Sequence, residues 1–126
     1  MNALIHFGMA TFFHDGDPGC DSQNWLGCDP NGGCNASDPR SFNPTKLNVS
    51  NWVDSFKAVG VTSAVLTSKH GCGFLAWETK TTLPDGSPYR YHVQPQFPVL
   101  KQFVAAMQQN GIGYGFYYSL TNVGGC

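Results

Sequence analysis

The apolar residues of this chain fall into two kinds of run, short ones of strand length and longer ones that repeat every three or four positions. Leu4 to Phe13 mixes apolar and aromatic residues as a buried strand does, until the turn formers Asp15-Gly16-Asp17-Pro18-Gly19 break it. From Pro18 to Pro44 the chain is mostly Gly, Pro, Asp, Asn, Ser and Cys, which predicts a long irregular connection. Trp52, Phe56 and Val59 then recur at helical spacing, Val53 widens the stripe, and Gly60 supplies a C-terminal stop. Val61 to Ser68 reads VTSAVLTS, a β-branched run of strand length. A second helix is expected near Pro98, whose fixed φ suits a first turn. It carries Leu100, Phe103, Val104 and Met107 on one face and stops at Asn110-Gly111. Ile112 to Leu120 supplies a third strand.

Strand, helix, strand, helix, strand is the order of an α/β unit with a parallel sheet, its strands near residues 3 to 9, 62 to 68 and 113 to 119. No G-x-G-x-x-G follows a strand, which lowers the doubly wound alternative and leaves the closed barrel. Groups able to touch a ligand stand at the C-terminal end of every strand: His6, then Lys69 and His70, then Tyr117, Tyr118 and Ser119. In a barrel that end is the active face. Three strands cannot close a barrel, so about five more are expected from outside these residues.

Composition narrows the partners. With 12% charged residues, a net charge of −1 and no Lys/Arg cluster, the chain offers no surface that tracks phosphates, and no nucleic-acid partner is expected. Apolar runs such as Val104 to Met107 fall far short of the roughly 20 residues that span a bilayer, so no membrane partner is expected. Cys20, Cys28 and Cys34 are spaced by more than the usual zinc-ligand interval, which favours disulfides and an oxidising compartment over a metal site. Asn35-Ala36-Ser37 and Asn48-Val49-Ser50 are acceptor triplets for N-glycosylation. Both features point to an extracellular or lumenal, including lysosomal, protein. The N-terminus has no charged n-region or apolar h-region, so either a signal peptide has been removed or the chain is not exported.

Several motifs, taken in order, resemble glycoside hydrolase family 29, the α-L-fucosidases. Leu4-Ile5-His6-Phe7-Gly8 resembles the first strand of that family. Phe42-Asn43-Pro44, Asn51-Trp52-Val53 and Lys57-Ala58-Val59-Gly60 resemble the approach to its first helix and the helix itself. Ala64 to His70, followed by Gly71-Cys72-Gly73-Phe74 and Trp77, resembles its second strand and the loop beyond, and Gly115-Phe116-Tyr117-Tyr118-Ser119 its third. The resemblance implies that residues 1–126 form one partial catalytic domain, the N-terminal part of a TIM (β/α)8 barrel with strands 1 to 3, two helices and long loops. It implies removal of terminal α-L-fucosyl residues from oligosaccharides or glycoprotein glycans with retention, by a carboxylate nucleophile and a carboxylic acid roughly 5 Å apart. No cofactor is implied.

In the family the nucleophile ends the fourth strand and the acid follows later, so no catalytic residue is expected in these residues and the chain alone is expected to be inactive. Glu78 falls at a structural position, and Asp15, Asp17 and Asp21 read as turn formers. The resemblance assigns substrate contacts to His6, Asn24, Trp25, His70 and Tyr117, with Trp25 against the sugar ring and Lys69 as a structural cation. Fucose, a deoxy sugar, calls for neutral hydrogen-bonding groups and an apolar wall. Three departures bear on specificity: Gly71 and Cys72 replace a His and an Asp, and Asn24 replaces a Glu. The long segments Gly19 to Gly33 and Thr81 to Gln96 could also reshape the pocket mouth. Two other functions compete, a catalytically inactive glycan-binding relative and a metal site built from His6, His14, His70 and Cys72. The second lacks ligand spacing.

Overall fold

The computed structural model describes residues 1–12, 38–71 and 73–120. Strands β1 (Asn2–Ile5), β2 (Ser63–Lys69) and β3 (Gly113–Tyr118) form one sheet in the order β1-β2-β3, and both pairings are parallel. Helix α1 (Val49–Ala58) connects the first two strands and α2 (Val99–Gln109) the second and third. The expected α/β order is therefore the observed one. The first strand is shorter than expected. Its pairing ends at Ile5↔Leu66, and a 3-10 turn occupies Met9–Phe12. There the Gly8 N–H donates to the Thr11 hydroxyl at 3.3 Å and the Thr11 N–H returns to the Gly8 carbonyl at 3.0 Å. Local bonds of this kind compete with the ladder and end it.

Both helices start and stop for reasons visible in their residues. Asn48 caps α1, its Oδ1 accepting from the Asn51 N–H at 3.2 Å. Pro98 stands at the cap of α2 rather than in its first turn. At the far ends one device is used twice. Gly60 (φ 72°) donates to the Lys57 carbonyl while Val61 donates to Phe56, and Gly111 (φ 64°) donates to Gln108 while Ile112 donates to Met107. This is the Schellman pair of bonds, and it needs a left-handed residue that glycine supplies without strain. Val61 and Ile112, the residues after each glycine, are buried. Each therefore anchors the chain as it turns back into the next strand. Val59, expected on the apolar stripe of α1, is 60% exposed, because the helix ends at Ala58 and the cap turns it outward.

The core lies between the helices and one face of the sheet. Leu66 of β2, Phe103 and Met107 of α2 and Phe42 ahead of α1 are fully buried, and such side chains contribute about 1.5 to 3 kcal/mol each. Phe42 packs its ring 5.5 Å from Phe7, 5.1 Å from Phe12 and 5.1 Å from Phe74. It thus ties the ends of β1 and β2 to the segment preceding α1. Thr81 to Gln96, expected as a long loop segment, lies in an excursion between β2 and α2 that is packed against the core. In it Leu75 exchanges backbone bonds with Tyr91 and Val93, at 3.1 and 2.9 Å, and all three are buried. The tip of this excursion is a turn in which Leu83 pairs with Ser87 and Asp85 Oδ1 accepts from the Ser87 N–H and hydroxyl. Leu83-Pro84-Asp85-Gly86 carried the turn chemistry for it.

Alternation along the strands sorts the opposite face of the sheet into rows. Asn2, Ser63 and Gly113 are in register, then Leu4, Val65 and Gly115, then Thr67 and Tyr117, with His6 one step beyond the paired part of β1. The register slips between Thr67 and Lys69, where Lys69 pairs with Tyr118. Lys69 Nζ donates to the Ser119 carbonyl at 2.7 Å and lies 5.2 Å from the Tyr118 ring centre, and the Ser119 N–H returns to the Lys69 carbonyl at 3.0 Å. Lys69 is 6% exposed, and burial pushes its ammonium below the ordinary lysine range.

Two outcomes are expected. Gly60→Ala forces a left-handed alanine and lowers stability by about 1 to 2 kcal/mol, read as an earlier urea midpoint with an unchanged slope. For Lys69, the folded pKa is below the unfolded one, so between the two the unfolded chain holds more protons and stability rises with pH. The burial penalty is complete below the folded pKa and relieved above it. The stability of the wild type relative to Lys69→Met should therefore increase from neutral pH toward the ordinary lysine pKa. A flat difference across that range would contradict the account.

Candidate functional site

His6 extends the row begun by Asn2 and Leu4, which carries its ring to the C-terminal edge of the sheet. Thr67 meets it there, with Oγ1 2.8 Å from His6 Nδ1. His70 follows β2 directly and Tyr117 is the last residue of its row on β3. Their rings gather at one place. His6 and His70 are edge to face at 5.8 Å, His6 and Tyr117 at 6.2 Å, and His70 and Tyr117 are tilted at 6.1 Å. Ser68 Oγ donates to the Tyr117 carbonyl at 2.9 Å and holds the end of β3 against β2.

Beside the rings lies a cavity of about 270 Å³. Its polar wall is His6, Thr11, Thr67, Ser68 and His70; its apolar wall is Phe7, Met9, Ala10, Phe74 and Ala76. Tyr117 flanks the cavity without forming its wall. Phe7 and Phe74 both pack on Phe42, so the apolar wall is backed by the core and is not a loose surface. No Lys, Arg, Asp or Glu among the described residues lines it, and the described carboxylates, Asp38, Asp54, Glu78 and Asp85, all lie elsewhere. Such a space can hold a small neutral molecule with hydroxyls on one side and carbon on the other. Among the described residues it presents no carboxylate.

Of the five residues singled out as substrate contacts, His6, His70 and Tyr117 are brought together, while Asn24 and Trp25 lie outside the described residues. So do all five cysteines, the triplet at Asn35, and His14 and Cys72 of the metal reading. Among the described residues no three His, Cys, Asp or Glu side chains could hold a metal ion. Lys69 and Tyr118, which also end their strands, turn to each other, and the Tyr118 ring lies 6.2 Å from that of Trp77. Thr67, Met9 and Phe74 were not anticipated as part of the site. The alternation of VTSAVLTS places Thr67 on the same face as Ser63 and Val65, and that is the signal by which it could have been found.

Comparison with known proteins bears on what the cavity belongs to. The family model for alpha-L-fucosidase matches residues 35–124. Alpha-L-fucosidase 1 of Arabidopsis thaliana is 33% identical over 113 residues, 88% of this chain and 20% of the relative. The tissue alpha-L-fucosidase of Bos taurus is 33% identical over 81 residues, 64% of this chain and 16% of the relative. A Bacteroides ovatus crystal structure assigned as an alpha-L-fucosidase superposes with a TM-score of 0.68 at 30% identity, covering 97% of this chain and 18% of that one. An alpha-L-fucosidase GH29 from Bacteroides thetaiotaomicron gives a TM-score of 0.62 at 25% identity over 97% of this chain and 28% of that one. The chain spans about a fifth of the length of the first curated relatives it matches. With the family match covering most of its residues and its fold shared with solved members, this chain belongs to the alpha-L-fucosidase family of glycoside hydrolases.

Proposed function

We propose that this chain supplies part of the binding surface for a terminal α-L-fucosyl residue in a retaining glycoside hydrolase acting on oligosaccharides or glycoprotein glycans. The observation that carries the reading is the convergence of His6, His70 and Tyr117 beside a cavity that bears no fixed charge. Two imidazoles, a phenol and the Thr11 hydroxyl can exchange hydrogen bonds with sugar hydroxyls, and Phe7, Met9 and Phe74 give the methyl group and ring carbons an apolar surface. The volume is just under the roughly 300 Å³ at which sites for drug-sized ligands begin, a size that suits a monosaccharide. Asn24 and Trp25 extend the same surface in this reading, Trp25 against the sugar ring.

Retention requires a nucleophile and an acid about 5 Å apart across the scissile bond. No described carboxylate lines the cavity; in this reading the pair is the one the resemblance implies, a nucleophile at the end of a fourth strand and an acid later still. The second reading, a glycan-binding relative without catalysis, parts from the first at the end of the fourth strand, where an Asp favours the enzyme and its replacement favours the binder. Gly71 and Cys72, where the resemblance implies His and Asp, leave fewer groups to grip a hydroxyl. Fucose titrated into the chain and followed by NMR should perturb His6, His70 and Tyr117. His6→Ala should weaken binding roughly tenfold, the effect of one lost hydrogen bond to a buried hydroxyl. Hydrolysis of an aryl α-L-fucoside by the purified chain should be undetectable, and turnover would place the carboxylates within it. Shifts confined to other residues would remove the sugar reading.

The compartment proposed is extracellular or lumenal, with disulfides among Cys20, Cys28 and Cys34 and a glycan on Asn48. Supporting the last, Asn48 is exposed and uses only Oδ1 to cap α1, which leaves Nδ2 for the sugar bond. Chain passed through a eukaryotic secretory pathway should lose mass on enzymatic removal of N-glycans, and Ser50→Ala should abolish the part due to Asn48. An unchanged mass would count against both the glycan and the compartment.

A further inference from the structure

The direction in which His6 offers hydrogen bonds is decided by a residue on the neighbouring strand. Thr67 Oγ1 lies 2.8 Å from His6 Nδ1, and Thr67 is 7% exposed. A threonine hydroxyl has one proton to give and two lone pairs to offer. Among the described residues, His6 Nδ1 is the one partner that hydroxyl has. Were Nδ1 to carry the ring proton, it would donate to the hydroxyl, and the hydroxyl's own proton would be left without an acceptor among the described residues, the less favourable arrangement for a group this little exposed. With Nδ1 bare, the threonine donates and both groups are satisfied. The proton of the neutral ring then sits on Nε2.

The two residues are unequal partners. Thr67 belongs to the central strand, is paired with Tyr117, and carries a β-branched side chain with restricted χ1, so its hydroxyl is held in place. His6 lies past the last paired residue of β1. Its ring is aligned by the Thr67 bond and by edge contacts with His70 and Tyr117.

We propose that Thr67 is a positioning residue that fixes His6 as the Nε2–H tautomer, so that His6 meets the occupant of the cavity as a hydrogen-bond donor. The ligand group facing His6 must then present a lone pair. A hydroxyl or ether oxygen satisfies it, whereas an ammonium in the same place, as in an amino sugar, cannot. The identity of the ligand rests on the fucosyl reading; the tautomer does not.

The test is a two-bond 1H–15N correlation spectrum of the full chain with labelled histidine, recorded without sugar at a pH where the rings are neutral. Wild type is expected to show the Nε2–H pattern for His6 almost exclusively, and Thr67→Ser, which restores the hydroxyl, to retain it. Thr67→Val, nearly the same shape without a donor, should raise the Nδ1–H population at least severalfold. A His6 spectrum dominated by Nδ1–H in wild type, or a Thr67→Val pattern identical to wild type, overturns the proposal. If Thr67→Val does not fold, the wild-type and Thr67→Ser spectra still decide it. Failure of fucose to bind with the tautomer intact counts against the sugar reading alone.

Discussion

The structure depends on a single strand being hydrogen bonded on both sides. β2 pairs in parallel with β1 as far as Leu66 and with β3 as far as Lys69, so its first residues are placed relative to two neighbours at once and Thr67 continues that line. Parallel strands cannot be joined by a tight turn, and the two crossover helices follow from that. The Schellman caps at Gly60 and Gly111 then return the chain to the sheet in the same way in both crossovers, with Val61 and Ile112 as anchors. The ends of the strands are consequently level enough for His6, Thr67 and Tyr117 to stand together.

What the sheet places, the aromatic cluster supports. Phe42 touches Phe7, Phe12 and Phe74, and two of those three rings also form the cavity wall. Core and site are thus made in part from the same side chains. Packing at native density leaves such rings little freedom, and the wall they present is correspondingly definite. The tie between Ser68 Oγ and the Tyr117 carbonyl does for β3 what the rings do for β1.

Much of this was legible in the residues alone. Alternating periods disclosed the strands and helices, the two glycines disclosed the helix stops, and the resemblance to the α-L-fucosidases disclosed that His6, His70 and Tyr117 belong together. What escaped notice has physical reasons. The apolar run from Leu4 to Phe13 reads as one strand, but pairing stops at Ile5 because the Gly8–Thr11 bonds satisfy the backbone locally. Thr81 to Gln96 reads as a long loop because isolated bridges such as Leu75↔His92 and Thr82↔Pro88 leave no periodic signature. Thr67 was passed over because its importance lies in a partner 61 residues away, a pairing that only register reveals.

The slip in register between Thr67 and Lys69 has a consequence for how a ligand would arrive. By pairing Lys69 with Tyr118, it takes the one cation at the end of β2 out of the cavity and leaves walls of carbon, hydroxyl and imidazole. Among the described residues those walls carry no Lys, Arg, Asp or Glu whose field a small solute could follow. As far as those walls decide it, a neutral solute would arrive by ordinary diffusion, at a rate indifferent to ionic strength across the range in which the Debye length shrinks from about 30 to 3 Å.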